Sequence, residues 1–187
     1  RQCPVRLCFL ERKSRYDRYG SLDACKTDGL SVDRKMIFYE DLHIGTVRKF
    51  GRYEVSRDEV LEFAAKYDPQ PFHLDDEAAA QTHFGRLSAS GWHTCAMTMR
   101  MMVEDITDNQ SASLGSPGID QLRWTKPVYP GDTLRCETEL IEKRRSASRP
   151  EMGIFKSQVR TFNQNDELVL EMISKALIRT RSPEGRD

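Results

Sequence analysis

Residues 92–103 read WHTCAMTMRMMV, a segment that no surface position can accommodate as an ordinary amphipathic helix. At helical spacing Trp92, Ala96, Met99 and Val103 share one face, and Cys95, Met97, Met101 and Met102 cover much of the rest. A helix apolar nearly all round is buried, so the chain must supply something to wrap it. The C-terminal half has the material. IDQLRWTKPV, TLRCETELIEKRR, IFKSQVRTFNQ and LVLEMISKALIRT are rich in β-formers and largely alternating. YPGD and NQND read as turns, RSASRPEMG as a polar connection and LGSPG (114–118) as a loop. Helices early and strands late predict an α+β fold, an antiparallel sheet around one long buried helix.

The chain of 187 residues suits one domain. Residues 1–35 are basic and lack apolar periodicity. They read as an N-terminal extension, poorly ordered or foreign to the natural protein, with Met36 as the natural start. Residues 36–180 form the predicted domain and 181–187 a tail. MIFYEDL reads as a short strand or extended segment, and GTVRKFGRYEV as β structure with a bend or bulge at Gly51. Ser56 to Glu59 has the spacing of a capping box, followed by Val60, Phe63, Ala64 and Tyr67 on one helical face. A second short helix is predicted from Asp75 to about Thr82.

Basic and acidic residues balance at 29 each, which gives no electrostatic case for nucleic acid or a membrane surface. No run of eighteen apolar residues marks a spanning helix. Five scattered cysteines, without paired or metal-type spacing, point to reduced thiols and a cytoplasmic setting. His73, His83 and His93 lie ten residues apart with no acidic or cysteine cluster, so no metal site is expected. Ser88 and Ser90 suit helix caps better than nucleophiles, because no Gly-x-Ser-x-Gly elbow surrounds them.

The sharpest local feature is Asp68-Pro69-Gln70-Pro71-Phe72-His73. Pro69 stops the preceding helix near Asp68, and both prolines fix φ and stiffen the link between carboxylate and imidazole. A carboxylate is electrostatically disfavoured at a helix C-terminus, so its presence there hints at function. Asp and His together can hold a water and run acid–base chemistry at C=C or C=O groups. The plainer alternative is an Asp-Pro turn with His73 packed at the edge of the core.

This Asp-x4-His segment, with FYEDLHIG, FAAKYDPQPFHLDDEAAA, HFGRLSASGWHT and KPVYPGDTL in that order, resembles the MaoC-like dehydratases, or R-specific enoyl-CoA hydratases. The resemblance covers about residues 36–180 and implies the hotdog fold, a curved antiparallel sheet around a central helix. It implies reversible hydration of a trans-2-enoyl-CoA, with Asp68 and His73 catalytic and Gly91, Ser90 and Gln70 in the oxyanion and substrate-binding group. Gly91 would offer its N–H at the start of the central helix, or else merely ease tight helix–sheet packing. Gln70 stands where well-characterised hydratases often carry Asn, and Ser90-Gly91 where they carry His-Gly, which bears on substrate more than on reaction. Coenzyme A is part of the substrate and no other cofactor is implied. A homodimer or higher homo-oligomer is implied as well. Arg86, Arg123 and Lys126 can meet CoA phosphates or simply face solvent, and the methionine face is core or part of an acyl tunnel. Two other functions fit the same scaffold: a thioesterase, and a non-catalytic module that binds acyl thioesters.

Overall fold

Residues 36–182 are described by the computed structural model. The extension read over residues 1–35, and residues 183–187 of the tail, lie outside them. The elements run β1 (Val47–Glu54), α1 (Arg57–Tyr67), α2 (Pro71–Leu74), α3 (Asp76–Ala80), α4 (Gly91–Asp108), β2 (Ser113–Trp124), β3 (Thr133–Arg145), β4 (Met152–Phe162) and β5 (Leu168–Arg179). The strands make one sheet in the order β1-β3-β4-β5-β2, every pair antiparallel.

Alternation along the strands sets the inner face. Leu134, Cys136 and Leu140 of β3, Val159 and Thr161 of β4, and Leu170 and Met172 of β5 are buried. Register aligns them: Phe50, Cys136, Thr161, Leu170 and Trp124 follow one another across all five strands. Met97 and Met101 of α4 join this core, and Thr98 bonds Thr161 across it at 2.9 Å. One long helix held against a single antiparallel sheet is the hotdog arrangement that the resemblance implies.

Gly51 is the bulge the sequence suggested, with φ +79° and a register shift between Phe50 and Tyr53. A Cβ there would meet Met101 Sδ at 2.6 Å, so the bulge lets α4 lie close on β1.

Several expectations need correction. Only part of α4 is buried: His93, Thr94, Met97, Thr98 and Met101 face inward, whereas Trp92, Met99 and Val103 are exposed. One sheet covers one side of a helix, so the all-round apolar pattern exceeds what this chain alone can cover. LGSPG is not a loop but the start of β2, with Gly115 and Gly118 at positive φ and irregular register on both sides. β2 is an edge strand, where a proline and bulging glycines are tolerated. In MIFYEDL only Ile37 makes a bridge, and Tyr39–Asp41 is a 3-10 turn. The helix expected from Asp75 to Thr82 is α3, shorter and capped by Asp75, whose carboxylate accepts from Ala78 N–H at 2.8 Å.

Candidate active site

Asp68 closes α1 as its C-cap, its N–H bonded to the Ala64 carbonyl at 2.9 Å. The backbone then turns sharply, with Gln70 N–H donating to the Asp68 carbonyl at 2.8 Å. Pro71 opens α2, where its missing N–H costs nothing. His73 therefore sits on a helical turn rather than on the irregular bridge expected from sequence. The turn buries the ring, leaving His73 5% exposed. Phe72 packs edge-on against it with centroids 4.6 Å apart, and Phe84 lies 5.8 Å away.

The two side chains meet. His73 Nε2 lies 3.7 Å from Asp68 Oδ2. On the other side of the ring, Nδ1 is 2.8 Å from the Ser88 carbonyl. A carbonyl only accepts, so Nδ1 carries a proton, and Nε2 is the nitrogen free to exchange one. The Asp68 carboxylate is gripped at both oxygens: Gln70 Nε2 donates to Oδ1 at 2.7 Å and Ser90 Oγ donates to Oδ2 at 2.6 Å. Burial pushes this carboxyl up. The Ser90 and Gln70 donors and the neighbouring imidazole outweigh burial and hold it below the usual carboxylate range.

Ser90 also caps α4, its Oγ accepting from Trp92 N–H at 3.2 Å. One hydroxyl thus ties the Asp68 carboxylate to the N-terminus of the central helix. Gly91 follows at the first helical position, where a backbone N–H has no acceptor one turn back and the helix dipole is positive. The side of Gly91 without a Cβ is not open: an added Cβ would meet Trp124 Cε2 at 2.6 Å. The glycine accommodates the indole of Trp124 on β2, as the packing alternative had it.

A family model described as "MaoC like domain" matches residues 41–160. The chain belongs to the MaoC-like domain family. The uncharacterized protein YdeM of Bacillus subtilis is 31% identical over 140 residues, 75% of this chain and 97% of that protein. The 3-hydroxybutyryl-CoA dehydratase of Methylorubrum extorquens is 26% identical over 155 residues, 82% of this chain and 90% of that enzyme. Among solved structures, a MaoC-like dehydratase from Rhodospirillum rubrum is 39% identical with a TM-score of 0.71, covering 78% of this chain and 99% of that one.

In this MaoC-like domain the five residues singled out from sequence fall into one cluster around the start of α4. What sequence reasoning missed is the frame around them: the Ser88 carbonyl behind His73, Ser90 as the donor to Asp68, and Trp124 against Gly91. Ser90 was the most accessible of these, since a serine one residue before a helix has a hydroxyl to direct. The cations considered for CoA phosphates have protein partners: Arg86 stacks over Tyr129, Lys126 bonds Glu167 and Arg123 lies 3.8 Å from Glu171. His83 packs against Phe84, the ring that also lies near His73, and His93 packs against Phe63. A cavity of about 220 Å³, lined by Met102, Asp105, Ile106, Ser157 and Ser174 among others, lies at the far end of α4 from the dyad.

Proposed function

We propose that this MaoC-like domain is a hydro-lyase that adds water reversibly across a trans-2-enoyl-CoA, giving the (R)-3-hydroxyacyl thioester. The observation that carries the reading is the Asp68–His73 pair, 3.7 Å apart beside the N-terminus of α4. Both facing atoms accept hydrogen bonds when the imidazole is neutral, so a water between them donates to both. Attack joins its oxygen to C3 and releases its proton to the pair. The C2=C3 electrons move onto the thioester oxygen, where the Gly91 N–H stabilises the charge. A proton from the pair then reaches C2. Whichever group gives it, exchange at His73 runs through Nε2, because the Ser88 carbonyl occupies Nδ1–H. The similarity to a 3-hydroxybutyryl-CoA dehydratase supports a short acyl chain as the first substrate to try. The reaction needs no cofactor beyond the coenzyme A of the substrate. The free thiols of Cys95 and Cys136 support a cytoplasmic setting.

We further read the chain as a homo-oligomer. Trp92, Met99 and Val103 of α4, with Ile119 and Trp124 of the edge strand β2, leave a broad apolar surface exposed. A second copy pairing along β2 covers both the apolar side chains and the unpaired strand edge.

The test is hydration of crotonyl-CoA, followed by loss of enoyl absorbance. Asp68→Asn and His73→Gln are each expected to lower kcat/KM by about 10²- to 10⁴-fold. Full activity in either variant overturns the assignment. Release of free thiol, which hydration does not produce, replaces hydration with thioester hydrolysis on the same scaffold.

A further inference from the structure

α1 carries Asp68 at its last cap and α4 carries Ser90 and Gly91 at its first, so the joint between these helices sets the distance across the site. Three contacts make that joint. Ser90 Oγ to Asp68 lies at one end. In the middle, His93 stacks flat on Phe63, with centroids 4.6 Å apart and planes 7° from parallel. At the other end His93 Nε2 faces Glu59 Oε1 at 3.6 Å, and Tyr53 of β1 donates to that same oxygen at 2.5 Å. Glu59 and Phe63, one turn apart on α1, both meet His93 of α4.

Two observations show that this arrangement is not the one packing alone favours. First, His93 is 2% exposed, yet its Nδ1 has no hydrogen-bond partner. A buried polar atom left unpaired destabilises a fold, and a phenylalanine would stack on Phe63 without that penalty. Second, Glu59 occupies the capping-box position after Ser56, and its N–H does bond Ser56 Oγ at 3.2 Å. Its carboxylate turns instead to Tyr53 and His93. Glu59 forgoes the local capping partner to link β1, α1 and α4, and His93 leaves one buried nitrogen unpaired in the same contact. His93 comes two residues after Gly91 and four after Ala89, inside the first turn of α4.

We infer that His93, held by Glu59 and Tyr53, is a positioning residue that sets the gap between the Asp68 carboxylate and the Gly91 amide. It touches neither substrate nor reacting atoms. It acts by fixing the rotation of α1 against the first turn of α4, where an error of about 1 Å can cost on the order of 100-fold in rate. The inference rests on the hydratase reading for its kinetic consequence, and on geometry alone for its structural one.

The experiment compares wild type, His93→Phe, His93→Gln and Glu59→Ala as full chains. His93→Phe keeps the stack on Phe63 and removes both nitrogens. A purely structural role predicts an equal or higher Tm and unchanged rate. Positioning predicts an equal or higher Tm with kcat for crotonyl-CoA down about 10- to 100-fold and KM within about threefold. His93→Gln, whose amide nitrogen takes the place of Nε2, restores most of kcat. Should His93→Phe not fold, Glu59→Ala carries the same test from a half-exposed side chain. The ¹⁵N shifts of the His73 ring, which report its contact with Asp68, provide a readout without substrate. They move in His93→Phe if the gap has changed. Wild-type kcat in His93→Phe, a kcat that falls only in step with Tm, or unmoved His73 shifts would each overturn the inference. A wild type that hydrates no enoyl thioester sinks the hydratase reading instead, and the ring shifts still decide the positioning.

Discussion

Asp68 is held as a carboxylate by two donors, and the consequences at this residue are measurable. Its folded pKa lies below the ordinary value of about 3.9, so the stability it contributes is present above that pH. That contribution is lost as pH falls through the lower folded value. Ser90→Ala removes one donor and the α4 cap together. We expect about 1 kcal/mol less stability at pH 7 and an acid unfolding midpoint moved to higher pH, both read from thermal melts across the acid range. His93 has the same sign, from a different cause. Burial lowers its pKa, and the Glu59 carboxylate only partly offsets this, so the folded ring resists a proton that the unfolded chain takes up below about pH 6.5. Stability therefore declines as pH falls below that value, and His93→Phe is expected to flatten the decline. Asp68 and His73 were legible in the sequence because only six residues span them and two prolines limit their options. Ser90 to Asp68 was not, since a bond across 22 residues depends on how two helices meet.

At the scale of elements, β1 and α4 approach each other through Gly51. An alanine there would adopt a strained φ and press its Cβ against Met101. We expect Gly51→Ala to cost about 2 kcal/mol and to lower Tm by several degrees, measurable by calorimetry or thermal circular dichroism. The long strands, the turns at Tyr129–Asp132 and Asn163–Asp166 and the helix α1 all follow local rules: alternation, turn residues and a proline stop. The elements misread are those where local rules conflict with context. LGSPG has loop composition, but an edge strand accepts a proline and bulging glycines that a central strand would reject. PFHL has too few residues for periodicity to register, and Pro71 at its first position stiffens a turn that tertiary packing completes.

At the scale of the whole molecule, the exposed stripe of Trp92, Met99 and Val103 explains why α4 reads as buried on every side while one chain covers only part of it. In the homo-oligomer proposed above, a second copy supplies the missing cover. Met99→Glu with Val103→Lys is expected to lower the mass measured by light scattering to that of one chain, with the far-ultraviolet circular dichroism retained. An unchanged mass would place the interface elsewhere. The sequence by itself determined the fold class, the central helix, and a carboxylate and imidazole held close by prolines, because each depends on periodicity or on neighbours along the chain. Only the tertiary structure decided that Ser90 and Gln70 grip Asp68, that Ser88 selects the exchanging nitrogen of His73, and that Trp124 fills the side of Gly91. Those contacts join segments whose separation in the chain carries no periodic signal, and they exist only once the sheet register and the angle between α1 and α4 are set.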